Sequence, residues 1–226
     1  MLAVADGMGG HRMGDRAAEI VVGALTEMNR ALEGGQTEVN TARGLVSAAM
    51  IISVDEISLL DEAVSDTTET EVLSGAPAGA TVAGIVMADE PFAFHVGDSR
   101  VYLFRGDKLI RCTKDHSLVQ GMVDKGEITD DEAHDHPRKN VVTRAITAYL
   151  SPKVDFTPLD LEAGDLVLIC SDGLTDEVRD VDIAKLISDT QEDGLSGVAY
   201  ALRDVALSTG GHDNITDVLG RIGDPQ

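Results

Sequence analysis

Cysteine is scarce: Cys112 and Cys170 are the only two in the 226-residue chain. They stand far apart with no Cys-x-x-Cys spacing, which suggests neither a disulfide framework nor a cysteine zinc site and fits a reducing cytoplasm. Basic residues are scarce too. Eighteen Lys and Arg face 40 Asp and Glu, a net charge of -22, whereas a protein that tracks nucleic-acid phosphates or an anionic membrane needs clustered positive charge. Most of the acidic excess reads as solvated surface. No stretch approaches the roughly 18 apolar residues of a spanning helix, and the N-terminus has no basic-then-apolar signal pattern. Internal repeats and low-complexity linkers are missing as well. What remains is one soluble domain over residues 1–226, long enough to bury a sizeable core.

Apolar residues at Ala17, Ile20, Val21, Ala24, Leu25, Met28 and Leu32 form a one-faced helical stripe from Asp15 to Leu32, closed by Gly34-Gly35. A second helical pattern places Leu45, Ala49, Ile52 and Leu59 or Leu60 inside, before an acidic, Thr-rich stretch from Asp61 to Glu71 that reads as a loop or frayed end. The period then changes to strands over 81–87, 92–96, 101–104 and 109–112. Arg105-Gly106-Asp107-Lys108 is a tight turn there, and an antiparallel meander is expected. Leu118 to Asn140 is polar, with one short helix announced by the capping box Thr129-Asp130-Asp131-Glu132. Strands near 154–159 and 166–170, helices near 181–188 and 195–207, and a closing strand over 215–222 complete the order. Helix pairs flanking runs of strands predict an α+β sandwich of two antiparallel sheets rather than βαβ alternation.

Apolar runs end in aspartate again and again. Leu2-Ala3-Val4-Ala5 runs into Asp6-Gly7, Phe92 to Gly97 into Asp98, and Leu166 to Ser171 into Asp172-Gly173; Asp213-Asn214 precedes the last run. Asp-Gly and Asp-Asn are also common turn dipeptides, so one such pair means little. Four junctions of an apolar run with an aspartate, carried to one sheet edge, would gather carboxylates that repel unless hard, oxygen-seeking cations hold them. Other chemistries fit less well. Gly7-Met8-Gly9-Gly10 lacks the third glycine of a dinucleotide fingerprint, since Arg12 stands in its place. A covalent aspartyl phosphatase would need a second Asp where Met8 stands, and no Gly-x-Ser-x-Gly occurs. His116 and His136 flank the polar segment over 118–140, although histidine is widely tolerated at surface or satisfied positions. His11, His95, His134 and His212 carry no functional reading.

With Asp6-Gly7-Met8-Gly9-Gly10, Gly97-Asp98-Ser99-Arg100, Thr113-Lys114-Asp115-His116-Ser117, Ser171-Asp172-Gly173-Leu174-Thr175 and Gly211-His212-Asp213-Asn214-Ile215-Thr216 in view, the chain closely resembles the bacterial branch of the PPM (PP2C) metal-dependent protein phosphatases. The motifs are ordered and spread over nearly the whole chain. The resemblance implies a PP2C-like αββα sandwich and hydrolysis of phosphoserine and phosphothreonine on proteins by a metal-activated water, with no covalent intermediate. It implies two core Mn²⁺ or Mg²⁺ ions and a third, weaker one. Carried over by motif, Asp6 is shared between the core ions, the carbonyl of Gly7 binds the second and the carboxylates of Asp172 and Asp213 bind the first. Asp98, with Asp172, matches the holder of the outer ion. Leu118 to Asn140 matches the variable flap, and His136 offers a proton donor or phosphate contact. The partners implied are phosphorylated substrates of a Ser/Thr kinase, met by a cytoplasmic monomer with no nucleic acid and no membrane.

Two departures from the family pattern stand out. Met8 occupies the place where eukaryotic relatives carry a histidine proposed as general acid. Family members normally also begin earlier, with two strands bearing a phosphate-binding Arg and an Asn-Glu-Asp acidic motif. Met1 therefore reads as an internal start, a truncated gene or a fragment. An expectation of weak turnover, or of a phosphatase-like domain that binds metal or phosphoprotein without turnover, stands beside the expectation of an active enzyme.

Overall fold

Side chains alternate across a strand, so a run that is apolar at every position must be covered on both faces, and the computed structural model shows what covers it. It describes residues 1–9, 11–32, 37–65 and 78–223. Strands β1 (Leu2–Met8), β2 (Gly79–Val86), β3 (Phe92–Val96), β6 (Ile146–Thr147) and β7 (Asp155–Pro158) make one antiparallel sheet, in the order β1-β2-β3-β7 with β6 also on β2. Strands β4 (Arg100–Arg105), β5 (Lys108–Arg111), β8 (Leu166–Cys170) and β9 (Asp217–Arg221) make the second, in the order β5-β4-β8-β9. Val4, Ala83, Ile85, Ala93, Val101, Leu103, Val167 and Ile169 fill the space between the sheets. On the outer face of the first sheet, Val82, Phe92, Phe94 and Val96 meet α1 (His11–Leu32) and α2 (Val39–Ser65). On the outer face of the second, Tyr102, Phe104, Leu166 and Leu168 meet α6 (Asp180–Thr190) and α7 (Gly194–Thr209). The expected sandwich of two antiparallel sheets flanked by helices is what the chain forms.

The first helix buries Ala17, Val21, Leu25 and Met28, as its stripe predicts, but begins at His11 rather than Asp15. The second keeps Ala49 buried and Leu45 against the core, as expected, but its inward face is rotated away from Ile52 and Leu59. Val46, Ala49, Met50, Val54 and Ile57 are buried, whereas Ile52 and Leu59 are 50% and 65% exposed; this helix carries apolar residues on both sides, so periodicity alone could not choose. It also runs on through Ser65, past the expected loop start at Asp61. The rest of that loop and the closing Gly34-Gly35 lie outside the described residues.

The meander is the larger correction. β2 pairs with β3 and β4 with β5, but β3 and β4 belong to different sheets, so the chain crosses the sandwich at Gly97-Asp98-Ser99. The Arg105–Lys108 turn is as expected, with Gly106 at φ 53° and Asp107 at φ 62° as a tight hairpin requires. In the polar segment the capping box is present: Thr129 Oγ1 accepts from Glu132 N at 3.2 Å and Glu132 Oε2 accepts from Thr129 N at 2.8 Å. It opens α4 (Asp130–His134), and an unexpected helix, α3 (Leu118–Asp124), precedes it with Ser117 as its cap. The four-residue α5 (Asp172–Thr175) and two-residue β6 were also unforeseen. Such short elements leave no period to read.

Candidate metal centre

Each of the four aspartates is placed by the backbone around it. Asp6 lies in β1, opposite Thr81 of β2. Asp98 follows Gly97 in the turn that crosses between sheets; Gly97 has φ +110°, which an L side chain adopts poorly, and a Cβ there would lie 2.4 Å from Thr81 Cβ. Thr81 Oγ1 and Ser99 Oγ are 2.7 Å apart, so the turn docks on the residue that faces Asp6. Asp172 opens α5 at the end of β8. Asp213 lies between α7 and β9, and Ser171 ties this loop to β8: its N–H donates to Thr216 O at 3.0 Å, and its Oγ donates to Asn214 O at 3.2 Å and accepts from Thr216 N at 3.1 Å. Two glycines permit the close approach. A Cβ at Gly7 would stand 2.1 Å from Gly14 O on α1, and one at Gly173 would stand 2.2 Å from Asn214 O.

The carboxyl groups so gathered are short of positive charge. Asp6 and Asp172 interact directly through their carboxyl groups, and Oδ1 of Asp172 is buried with no partner. Burial, then repulsion from Asp6, pushes Asp172 up to about 8. Burial, then repulsion from Asp172 and Asp115, pushes Asp98 up to about 8 as well. Asp6 is raised by burial, with Asp213 and Asp98 adding repulsion. Arg100, the cation behind Asp98, is committed elsewhere: its Nε and Nη2 grip Asp115 at 2.7–3.1 Å. Desolvated carboxylates that must hold a proton to coexist are the donor set a hard divalent cation replaces that proton in. The residues present therefore fit such an ion.

A cavity of about 420 Å³ opens beside Asp98 and Asp172 under the polar segment, with Asp176 and Arg179 on the core side and Gln120, Asp131 and His134 on the other. Arg179 fixes α4 through Nη1 to Asp131 Oδ1 at 3.0 Å and Nη2 to Asp135 Oδ2 at 2.8 Å. Lys139 Nζ donates to Asp176 O at 2.8 Å. Of the two histidines in this segment, His134 lines the cavity. His136 sits in the following turn, where its Nδ1 accepts from Arg138 N at 3.1 Å.

Sequence reasoning brought Asp6, Asp98, Asp172 and Asp213 to one place, and the structure does gather them. It missed the supports. Thr81, Arg144 and Asp155 carry no local signal, because their partners lie across the fold. His95, given no functional reading from the sequence, is only half satisfied: it is 2% exposed and its Nε2 faces Lys114 O at 2.7 Å, while its Nδ1 is buried without a partner. His212, likewise set aside, pairs its Nδ1 with Glu177 Oε1 at 2.7 Å beside Asp213.

Comparisons with known proteins point to one family. A family model described as protein phosphatase 2C matches residues 1–211. The serine/threonine protein phosphatase PstP of Mycobacterium tuberculosis is 36% identical over 225 residues, which are 99% of this chain and 40% of PstP. The chain thus spans about two-fifths of that relative. The protein phosphatase PhpP of Streptococcus pneumoniae is 34% identical over 223 residues, 97% of this chain and 84% of PhpP. Among solved structures, the catalytic domain of PstP in complex with two manganese ions superposes with a TM-score of 0.77 at 34% identity, over 99% of this chain and 87% of that one.

Proposed function

The chain belongs to the protein phosphatase 2C family, and on that premise we propose that it is a metal-dependent phosphatase acting on phosphoserine and phosphothreonine in proteins. The observation that carries this reading is the half-buried Asp6–Asp172 pair, short of positive charge, with buried Asp98 and exposed Asp213 beside it and a cavity alongside. Asp6 would be shared between two core ions, with the Gly7 carbonyl on one and Asp172 and Asp213 on the other. Asp98 and Asp172 would hold a third. Divalent ions supply two things to phosphoryl hydrolysis: a water acidic enough to act near neutrality, and neutralisation of charge on the phosphoryl oxygens.

The chain's own residues prepare the rest. Ser171 and Gly173 lock the loops of Asp172 and Asp213 together, so these carboxylates are held in register before any ion arrives. The Arg179 and Lys139 ties hold the segment over 118–140 against the core, walling the cavity on the side away from the sheets. That segment is the flap of the proposed enzyme. His134 lines the cavity and would be the imidazole there to serve a leaving alkoxide or a phosphate; His136, for which the resemblance suggests that role, sits in the following turn with its Nδ1 accepting from Arg138 N.

The substrates on this reading are phosphoproteins made by a Ser/Thr kinase. The chain would act as a cytoplasmic monomer over its single domain, in keeping with two free cysteines and with no helix among the described residues long and apolar enough to cross a membrane. Either Mn²⁺ or Mg²⁺ suits the oxygen donors. Hydrolysis of a phosphothreonine peptide should require one of them and be abolished reversibly by EDTA. Full turnover in metal-free buffer, or a trapped phosphoaspartate, would refute the assignment.

A further inference from the structure

Behind the Asp98 turn lies a polar cluster, two buried histidines with half-buried Arg144 and Asp155, that the proposed chemistry does not use. His116, 8% exposed, engages both backbone groups of Gly97: its own N–H donates to Gly97 O at 2.8 Å, and its Nδ1 accepts from Gly97 N at 3.0 Å. An imidazole that accepts at Nδ1 carries its proton on Nε2, and Nε2 faces Asp155 Oδ2 at 3.1 Å. Arg144 Nη1 lies 2.8 Å from that nitrogen and donates to Asp155 Oδ1 at 2.9 Å. His95 stacks on His116 with ring centroids 4.5 Å apart and planes 12° from parallel.

His95, His116 and Asp155 each place a donor atom within 4.8 Å of the others, a spacing that invites a metal reading. The ring geometry opposes it. Lone pairs lie in the ring plane, so two nearly parallel stacked imidazoles cannot aim at one ion. His116 Nδ1 is already occupied by Gly97, and the Arg144 guanidinium stands at Nε2. The cluster is a mechanical clasp.

What it clasps is informative. Gly97 sits at φ +110°, where glycine is free to move, so the direction of the next residue is not fixed by the glycine itself. It is fixed by what holds the peptide: Thr81 packs where a Cβ would be, and His116 takes the N–H and the C=O. The next residue is Asp98. We propose that His116 is the positioning residue of Asp98, aiming its carboxylate at Asp172 by holding both backbone groups of Gly97. This rests on Asp98 and Asp172 holding an ion, as read above. Ligand geometry tolerates about 0.2 Å, so a turn free to swing would lose the outer ion first.

Two isosteres separate positioning from packing. In His116→Asn, Oδ1 stands where Nδ1 stood and can still accept from Gly97; in His116→Gln, the amide reaches the Nε2 end and cannot. For His116→Gln, amide exchange at Gly97 should quicken at least tenfold, and the Mn²⁺ concentration for half-maximal turnover of a phosphothreonine peptide should rise at least tenfold, with KM for the peptide within twofold. His116→Asn should restore both to within threefold of the parent. Equal behaviour of the two variants overturns the proposal, as does faster Gly97 exchange in His116→Gln with an unchanged Mn²⁺ requirement while Asp98→Asn raises it. If Asp98→Asn itself leaves the Mn²⁺ requirement unaltered, it is the reading of Asp98 as a ligand that fails, and the Gly97 exchange rates still decide the clasp. A measurement on the unaltered protein needs no variant to fold: nitrogen NMR should show His116 protonated at Nε2 with Nδ1 accepting, and the opposite tautomer would overturn the inference.

Discussion

Adding one methyl group at Gly173 tests how the centre is assembled. The Cβ of Gly173→Ala would lie 2.2 Å from Asn214 O and 2.8 Å from Asn214 C, both backbone atoms, while ordinary contact begins at 3.4 Å. The Asp172 and Asp213 loops must therefore part by more than 1 Å. Three hydrogen bonds between Ser171 and residues 214–216, at 3.0–3.2 Å, would stretch with them. Overpacking costs about 1–3 kcal/mol, and each weakened hydrogen bond adds up to about 1 kcal/mol. The metal-free variant should lose roughly 2–4 kcal/mol, or about 5–12 °C in Tm for a chain of this size. Metal–oxygen distances tolerate only about 0.2 Å, so a separation several times larger should weaken Mn²⁺ binding at least about tenfold, the low end of what misplaced supports cost. Differential scanning calorimetry with EDTA and a calorimetric Mn²⁺ titration read the two effects separately. Gly23→Ala is the control: Gly23 lies on the exposed face of α1 with nothing within 4 Å, and replacing glycine there should stabilise by about 0.5–1 kcal/mol. Parental Mn²⁺ affinity in Gly173→Ala, with a Tm unchanged to within a degree, would show that the two loops are not held together by backbone contact.

Asp6→Asn or Asp172→Asn should remove nearly all turnover, whereas Asp98→Asn should slow it while sparing the tight sites; calorimetry showing the tight sites gone in Asp98→Asn would overturn that division. Metal-free stability should fall as pH rises. Asp98 and Asp172 have folded values near 8 against an ordinary 3.8, so the fold favours their protonated forms, and that stability is complete below about 3.8 and is lost as pH climbs through about 8. Melts in EDTA between pH 5 and 9 should therefore show a falling Tm that saturating Mn²⁺ reverses; a metal-free Tm rising across that range would contradict the account of the site. Arg179→Ala cuts both ties to α4, on a side chain about one-third exposed. Exposed pairs are worth about 1 kcal/mol or less, so Tm should move by less than about 3 °C while amide exchange over 130–135 quickens, and unchanged exchange would mean that α4 is held by other contacts.

How much of this was legible in the sequence follows from the range of each interaction. β8 reads Leu-Val-Leu-Ile-Cys and ends in Ser-Asp-Gly, so strand, turn and carboxylate are all local, and the position of Asp172 at the strand end could be read directly. Asp98 was found in the same way, but its setting was not: a meander and a crossing between sheets look alike along the chain. The difference lies in whether β4 pairs with β3 or with β8, and nothing between 92 and 105 records that choice. α2 shows the opposite failure. Its residues carry two candidate apolar faces, and the winner was decided by the shape of the first sheet, where Val46, Met50 and Ile57 fit and Ile52 and Leu59 do not. His116 lies between these cases. Its motif marked it as informative, but its task depends on Gly97, 19 residues earlier, and on Asp155, 39 residues later. A carboxylate that binds an ion needs only its own strand end to announce it. A residue that aims the carboxylate is announced by its partners, and those the fold alone supplies.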